Sequence, residues 1–364
     1  MSCTDDRPAG LTPGPALPTA APPLGRVAGD AARPGNAATA ARNVRRLARR
    51  QRNAGGVVVI AGASSGIGRC TALLFAAEGW RVGLVGRNPL GLADTGREIA
   101  ETGVRHLEAV ADVTDEAALE RAAAAIEAAL GPIELWVNVA GNGVYGRFSE
   151  VPDAEFRRVT EVTYHGTVNG TRVALRRMLP RDRGTIVNVC SAVVFHGVPL
   201  MTSYSGAKAA VRAFAQSLRM ELRLGGSKVR IGTVFPPAVN TPFFDRAPSY
   251  MGFPGQPVPP VYQPEVVARG IRLCAAGRGG EAVLTGTVWA YALITRISPG
   301  LAAFLVSLGG FGRPLPSDPG IERQVEPELF EARATRFSTH GPFNKRARRR
   351  SLHTWLTERW HRQA

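Results

Sequence analysis

Short aliphatic runs alternate along the chain with longer stretches in which apolar residues recur every three or four positions. The runs are apolar throughout, which is typical of parallel strands that are buried on both faces. The pattern therefore predicts an α/β fold, a doubly wound parallel sheet with helices on both faces, over residues 55–290. Strands are predicted at 57–61, 81–85, 104–111, 135–139, 185–189, 229–235 and 282–284, with helices after the first three strands and at 153–179, 203–224 and 264–276.

The two ends of the chain lack this alternation. Residues 1–54 are rich in Pro, Ala and Gly without a period, and they predict a disordered basic segment in which 41–53 is a short helix or a linker. An upstream mis-assigned start codon is the alternative explanation of this region. Residues 291–364 form a C-terminal extension, whose apolar run at 301–308 is too short for a membrane span and predicts an interfacial or core-packing helix.

A last helix is predicted at 351–363, and we expect it to dock on the core or on a partner subunit. Peripheral attachment to a membrane surface, helped by the Arg-rich stretch at 345–350, is the alternative. Either contact would use the apolar face formed by Leu352, Trp355, Leu356 and Trp360.

Composition places the excess charge at the ends and narrows the class of protein. The chain carries 45 Lys and Arg against 29 Asp and Glu, a net charge of +16, and residues 1–54 and 340–364 hold most of the surplus. No base-reading motif accompanies these basic ends, so solvated tails are expected rather than a nucleic-acid interface. Four cysteines lie far apart without a CxxC pair, which argues against a disulfide scaffold and a cysteine zinc site. We expect a cytoplasmic protein that holds no metal.

A glycine-rich turn follows the first predicted strand, reading AGASSGIG over residues 61–68. Glycines let the backbone approach a phosphate closely, and the helix that starts here presents its N-terminus to an anion. A dinucleotide phosphate site is therefore predicted at Gly62, Ser64, Ser65, Gly66, Ile67 and Gly68.

The end of the second strand indicates which dinucleotide is bound. An acidic residue there would bind the 2′-hydroxyl of the adenosine ribose, whereas Arg87 follows the strand and is suited to a 2′-phosphate. The sequence therefore predicts NADP(H), the alternative being that Arg87 is an exposed loop residue. Asp112 and Val113, after the third strand, are predicted to receive the adenine, unless Asp112 is only a helix-capping residue.

The candidate proton-transfer group lies in the second half of the domain. Ser191 closes the fifth strand, and Tyr204 and Lys208 stand four residues apart on one face of a predicted helix. A nearby ammonium favours phenolate, so we expect the pKa of Tyr204 to fall toward neutrality. Tyr204 would then exchange a proton with a carbinol or carbonyl oxygen that Ser191 holds.

Taken together, the glycine turn and these three residues resemble the short-chain dehydrogenase/reductase family over residues 57–242. The resemblance implies a Rossmann-like catalytic domain in which Ser191, Tyr204 and Lys208 are catalytic and Lys208 also contacts the nicotinamide ribose. Many family members have an asparagine of a proton relay where this chain has Thr163. The resemblance further implies cofactor contacts at Asn138, Ala140 and Gly141 of an NAG-like motif and at Pro236, Val239 and Thr241.

These observations predict an NADP(H)-dependent oxidoreductase that moves hydride between nicotinamide and an alcohol or carbonyl carbon, with Tyr204 as general acid/base. A sensor or scaffold that binds NADP(H) without turnover is the alternative. The expected substrate is small and apolar, because an aromatic, Pro-rich loop at 242–253 could close over it. The resemblance also implies a homodimer or homotetramer.

Overall fold

A computed structural model describes residues 55–277, 279–308, 327–332 and 337–363, apart from the side chains of Leu308 and 360–363. The predicted disordered segment at 1–54 and the side chain of Trp360 lie outside the described residues. The remaining predicted elements fall inside the described ranges, where their bounds can be compared directly.

Seven strands form one fully parallel sheet in the order β3-β2-β1-β4-β5-β6-β9, and β7 and β8 form a separate parallel pair. The strand order reverses between the neighbouring strands β1 and β4, and ligands bind at such a switch point in folds of this kind. The doubly wound parallel sheet is therefore confirmed. The strands are β1 (Gly55–Ala61), β2 (Trp80–Gly86), β3 (His106–Val110), β4 (Ile133–Asn138), β5 (Thr185–Val189), β6 (Arg230–Phe235), β7 (Ala238–Val239), β8 (Val261–Tyr262) and β9 (Gly280–Val283).

Helices cover both faces of the sheet, and the predicted helix at 153–179 contains a π-helical turn at Glu161–His165 that its periodicity did not reveal. This turn separates two α-helices and contains Thr163. The helices are α1 (Gly66–Ala77), α2 (Pro89–Ala100), α3 (Glu116–Leu130), α4 (Asp153–Thr160), α5 (Gly166–Met178), α6 (Thr202–Leu224), α7 (Phe243–Arg246), α8 (Pro264–Ala276), α9 (Gly286–Ile297), α10 (Pro299–Leu308) and α11 (Leu352–Gln363).

The uninterrupted apolar strands feed two cores, because successive side chains of a strand point to opposite faces of the sheet. In β1, Val57 and Val59 belong to one core, whereas Val58 and Ile60 belong to the other. All four side chains are fully buried. This two-sided burial holds the carboxyl ends of the strands rigidly, and the loops that follow those ends form the site.

The C-terminal extension packs on this domain through α11. Ser351 and Thr354 both donate hydrogen bonds to the carbonyl oxygen of Leu284, and Glu358 lies 3.2 Å from the Arg272 guanidinium. The predicted helix at 301–308 is observed as α10, which buries Ala302 and leaves Phe304 exposed. Within the described ranges, every helix is too short or too polar to traverse a lipid bilayer.

Candidate active site

A cavity of about 610 Å³ opens where the carboxyl ends of β1 and β4 diverge. Of the residues that the sequence predicted for catalysis and cofactor binding, all except Asn138 and Thr163 line it. The topology thus brings together residues that are separated by more than 150 positions in the chain. Among the described residues, none of the His, Cys, Asp and Glu side chains form a group of three suited to a metal ion.

The glycine turn has a backbone that only glycine fits. Gly62 has a φ of 108°, and a β-carbon on Gly68 would lie 1.9 Å from the carbonyl oxygen of Gly62. Helix α1 begins within this turn, at Gly66, so the N-terminus of the helix forms part of the cavity wall. A backbone free of β-carbons and a helix N-terminus are what a pyrophosphate requires, and the wall has both. The N–H of Gly66, at this N-terminus, donates a 3.1 Å hydrogen bond to the carbonyl oxygen of Ser338.

Arg87 lies in the cavity wall rather than on an exposed loop, so the alternative interpretation of this residue was wrong. Its guanidinium donates hydrogen bonds to the backbone carbonyl oxygens of Glu328 (2.7 Å), Leu329 (3.3 Å) and Phe330 (2.8 Å). It also lies 3.9 Å from the Asp112 carboxylate. Burial lowers the pKa of Arg87 from its usual value, although the side chain stays a cation at neutral pH.

Asp112 is held by two neighbours and does not cap the following helix. One carboxylate oxygen accepts hydrogen bonds from the backbone and hydroxyl of Thr114, and the other accepts one from Arg158 at 2.7 Å. Burial opposes ionisation, but these bonds outweigh it and lower the pKa of Asp112. The cap of α3 is Asp115, which accepts a hydrogen bond from the backbone of Ala118. Asp112 therefore remains a fixed carboxylate in the cavity wall near Arg87.

Tyr204 and Lys208 face the same part of the cavity from the first turns of α6. The Lys208 ammonium lies 5.7 Å from the centroid of the Tyr204 ring and donates a 2.8 Å hydrogen bond to the carbonyl oxygen of Val189. The Ser191 side chain lines the cavity beside Tyr204, close enough to lower the pKa of the phenol. A tyrosine, a serine and a lysine thus form one cluster at the carboxyl end of β5.

The expected fall in the pKa of Tyr204 is not what this cluster shows. Burial raises the pKa of Tyr204 above its usual value, and burial also lowers the pKa of Lys208 to about 8. The prediction was wrong because it counted the attraction of the ammonium and omitted the loss of hydration, which here is the larger effect. Tyr204 is therefore a protonated phenol at neutral pH, which is the form of a proton donor.

Two residues that the sequence assigned to the site lie behind the cavity wall. Asn138 is buried, where it accepts a hydrogen bond from the Trp136 indole and donates to Asn188, so its contacts hold β4 to its neighbours. Thr163 is fully buried, and its hydroxyl contacts only the backbone of Asn142, with its N–H at 3.4 Å and its carbonyl at 3.3 Å. The structure does not bring either side chain to the cavity.

Three further residues of the wall escaped the sequence analysis. Arg246 donates a 2.8 Å hydrogen bond to the Ser65 hydroxyl of the glycine turn and pairs with Glu328 at 3.4 Å. Leu329 lines the cavity beside Glu328. No local motif marks these residues, because they come from the short helix α7 and from a segment more than 80 positions further along the chain.

The cavity beyond Tyr204 is apolar and largely aromatic. The centres of the Phe243 and Tyr204 rings lie 5.7 Å apart, and Tyr291 and Val306 of the C-terminal helices also line the cavity. The predicted lid at 242–253 does contribute to the wall, through Phe243 and Phe244 among others. This end of the cavity would accept an apolar group and bring a polar atom of it to the phenol of Tyr204.

Comparison with known proteins agrees with this geometry. A short chain dehydrogenase family model matches residues 56–250. An uncharacterized oxidoreductase of Bacillus subtilis, YxnA, is 30% identical over 247 residues, which are 67% of this chain and 69% of that protein. Matches to several other curated oxidoreductases span only 31% to 59% of their length.

Two solved structures have the same fold with a nicotinamide dinucleotide bound. A short-chain dehydrogenase/reductase from Burkholderia phymatum in complex with NAD has a TM-score of 0.61 at 26% identity, and covers 68% of this chain and 95% of its own. A variant of actinorhodin polyketide ketoreductase with NADPH has a TM-score of 0.57 at 28% identity, and covers 64% and 97%.

The fold and the cavity define a dinucleotide-binding oxidoreductase with a Rossmann-like parallel sheet. The chain belongs to the short-chain dehydrogenase family, over the region that carries the glycine turn and the Tyr204 cluster.

Proposed function

We propose that this protein is an NADP(H)-dependent reductase that converts an apolar carbonyl compound into an alcohol. The observation that carries the proposal is the cluster of Tyr204, Ser191 and Lys208 at the junction of the apolar and the phosphate-binding parts of one cavity. A bound NADPH would supply the hydride for the carbonyl carbon, and the protein supplies the proton and the positions.

Tyr204 is the general acid in this proposal. Its phenol donates a proton to the carbonyl oxygen of the substrate, and the oxygen becomes the hydroxyl of the product. The hydroxyl of Ser191, which lines the cavity beside the same phenol, orients that oxygen. The Lys208 ammonium, held by the Val189 carbonyl, stabilises the negative charge that remains on the phenol oxygen.

The cofactor choice rests on the charge at the adenosine end of the cavity. Arg87 and Arg246 both line this end, and Arg158 lies behind it as the partner of Asp112. A guanidinium binds a phosphate through paired, charge-assisted hydrogen bonds, so these residues favour a 2′-phosphate over a hydroxyl. The two solved relatives hold NAD and NADPH respectively, so the preference is argued from this chain's own arginines.

The substrate is proposed to be largely apolar, because the wall beyond Tyr204 consists mainly of aromatic and aliphatic side chains. Phe243, Phe244, Met201, Tyr291 and Val306 all line the cavity and belong to the same apolar cluster as Tyr204. Such a pocket stabilises an aliphatic or aromatic chain through burial, about 25 cal/mol for each Å² of apolar surface removed from water.

The test is a measurement of NADPH and NADH oxidation by the full chain across a panel of aliphatic and aromatic ketones and aldehydes. Turnover with NADPH that exceeds turnover with NADH would support the proposal. Tyr204→Phe should lower kcat by roughly 10²–10⁴-fold while NADPH still binds, since general acid catalysis contributes about that much. Tight NADPH binding without turnover of any compound would instead favour a cofactor sensor.

A further inference from the structure

A segment near the C-terminus holds the arginine that the proposed function assigns to the 2′-phosphate. The carbonyl oxygens of Glu328, Leu329 and Phe330 accept three hydrogen bonds from the two terminal nitrogens of Arg87. We call residues 327–332 the C-terminal strap. Three of its members, Glu328, Leu329 and Ala332, also line the cavity, so the strap forms part of the wall that contains the glycine turn.

The strap is fixed by contacts other than those with Arg87. Leu329 is 4% exposed and packs against Val144 and Val159, and its carbonyl oxygen also accepts a hydrogen bond from Arg158 at 3.3 Å. The backbone N–H of Glu328 donates to the carbonyl oxygen of Arg246 at 3.2 Å. The strap is therefore a built element of the site, and its place beside Arg87 follows from packing as well as from hydrogen bonds.

The edge of the Arg87 guanidinium that donates to the carbonyl oxygens of the strap is also the edge that would bind a phosphate. An arginine binds a phosphate best through two parallel N–H groups, and both terminal nitrogens of Arg87 already donate to the strap. A phosphate oxygen carries negative charge and is a stronger acceptor than a neutral carbonyl, so a 2′-phosphate at this edge would replace the carbonyls. A 2′-hydroxyl carries no charge and would leave them in place.

We propose that the C-terminal strap and the 2′-phosphate of NADP(H) are alternative partners of Arg87, so that the strap is a determinant of cofactor specificity. The strap lowers affinity for the phosphorylated cofactor, which must displace it, and leaves affinity for NAD(H) unchanged. This inference rests on the proposed function, because it requires a cavity that binds an adenosine 2′-phosphate.

The experiment uses the full chain and two fragments that lack the nicotinamide, adenosine 2′,5′-bisphosphate and adenosine 5′-monophosphate. Calorimetry measures their binding, and amide hydrogen exchange follows the backbone of the strap, in which the N–H of Glu328 is a direct reporter. Saturation with the bisphosphate should speed exchange in the strap, and saturation with the monophosphate should not.

A matched pair of variants separates the strap from the rest of the extension. Leu329→Ser removes the buried anchor and should bind the bisphosphate about fivefold more tightly, because a loosened strap offers less competition for Arg87. Because Leu329 also lines the cavity, the comparison is the ratio of the two affinities, which should shift about fivefold toward the bisphosphate. Leu352→Ser alters a 72% exposed leucine of the same extension and should bind both fragments like the wild-type chain.

The outcomes distinguish this inference from the proposed function. If the bisphosphate binds but exchange in the strap stays constant or slows, the strap closes with the ligand rather than competing with it, and the inference is overturned while NADP(H) binding stands. If neither the wild-type chain nor Leu329→Ser binds the bisphosphate, the inference and the NADP(H) assignment fail together.

Discussion

The Lys208 ammonium stands 5.7 Å from the centre of the Tyr204 ring, yet the loss of hydration, rather than the neighbouring group, is the largest influence on the pKa of each. The pKa of the phenol rises and that of the amine falls, so each group moves toward its neutral form. A protonated phenol suits the reduction of a carbonyl better than the oxidation of an alcohol, which needs a base. This pair therefore favours the reductive direction near neutral pH.

A pH profile should report the Lys208 charge. With the pKa of Lys208 lowered to about 8, kcat/KM for carbonyl reduction should fall as the pH rises above about 8, since the free enzyme loses the ammonium that stabilises the phenol oxygen. Lys208→Arg keeps its charge at all of these pH values, so its lower activity should stay flat from pH 7 to about pH 9. An equally steep fall in that variant would assign the transition to another group.

The same burial makes the stability of the fold depend on pH. A lysine whose folded pKa is lowered to about 8 releases its proton earlier in the folded state than in the unfolded state, where the pKa is about 10.4. The free energy of unfolding should therefore rise between about pH 8 and pH 10, relative to a Lys208→Met variant.

Tyr204 acts in the opposite direction, because a raised folded pKa costs stability as the unfolded tyrosine ionises above about pH 10. Urea unfolding of both proteins in a Tyr204→Phe background removes this contribution and isolates the lysine. A difference in stability that does not change with pH would show that Lys208 keeps an ordinary pKa in the folded chain.

Arg87 provides a direct test of cofactor choice. Arg87→Glu should weaken NADP(H) binding about tenfold or more, because it removes a hydrogen-bond donor that is worth roughly 1.5–3 kcal/mol to a charged acceptor and adds a like charge. The new carboxylate should also improve NAD(H) binding by accepting the ribose hydroxyls. Fluorescence titration with both reduced cofactors measures the two effects.

The matched control for this substitution is Arg121→Glu, a charge reversal at a side chain that is 72% exposed on α3. It should leave both affinities close to those of the wild-type chain. A similar loss of NADP(H) binding in the control would mean that overall charge, rather than the contact made by Arg87, determines affinity.

Much of the fold followed from local pattern, because strands buried on both faces are apolar throughout and each is followed by an amphipathic helix. The predicted strand at 185–189 and helix at 264–276 have the observed bounds. The π-helical turn around Thr163 was not predicted, because a segment of five residues is too short to show a period different from that of an α-helix.

The site could be predicted where its residues lie close together in the chain. The glycine turn and the Tyr204–Lys208 pair each span eight residues or fewer, whereas the contact between Arg87 and Leu329 joins positions 242 apart. The pKa of Tyr204 was predicted in the wrong direction because burial depends on the whole fold. No motif predicts the placement of Asn138 behind the wall, because the sequence does not distinguish a buried asparagine from one that binds a ligand.

The buried amide network around Asn138 should contribute to stability. Asn138 accepts a 2.7 Å hydrogen bond from the Trp136 indole and donates to Asn188 at 2.8 Å and to Thr171 at 3.1 Å. Asn138→Ala would leave an indole N–H without its acceptor, and each unsatisfied buried group costs about 1–3 kcal/mol. We expect the free energy of unfolding to fall by about 3 kcal/mol, as measured by urea denaturation. A loss below about 1 kcal/mol would mean that the network relaxes around the vacated position.

The apolar wall should control which substrates reach Tyr204. A β-carbon at Gly143 would lie 2.7 Å from the tip of the Phe243 ring, so Gly143→Val should displace that ring and fill part of the pocket with its own side chain. KM for branched or aromatic ketones should rise severalfold, while small aldehydes are affected less, since one or two misplaced carbon groups change binding by about 1–3 kcal/mol. Phe243→Ala removes the ring and should widen the pocket, so KM for the bulkier ketones should not rise in this variant. Steady-state kinetics on a size-graded panel measures both variants, and parallel losses across all substrate sizes would place Gly143 and Phe243 outside the substrate pocket.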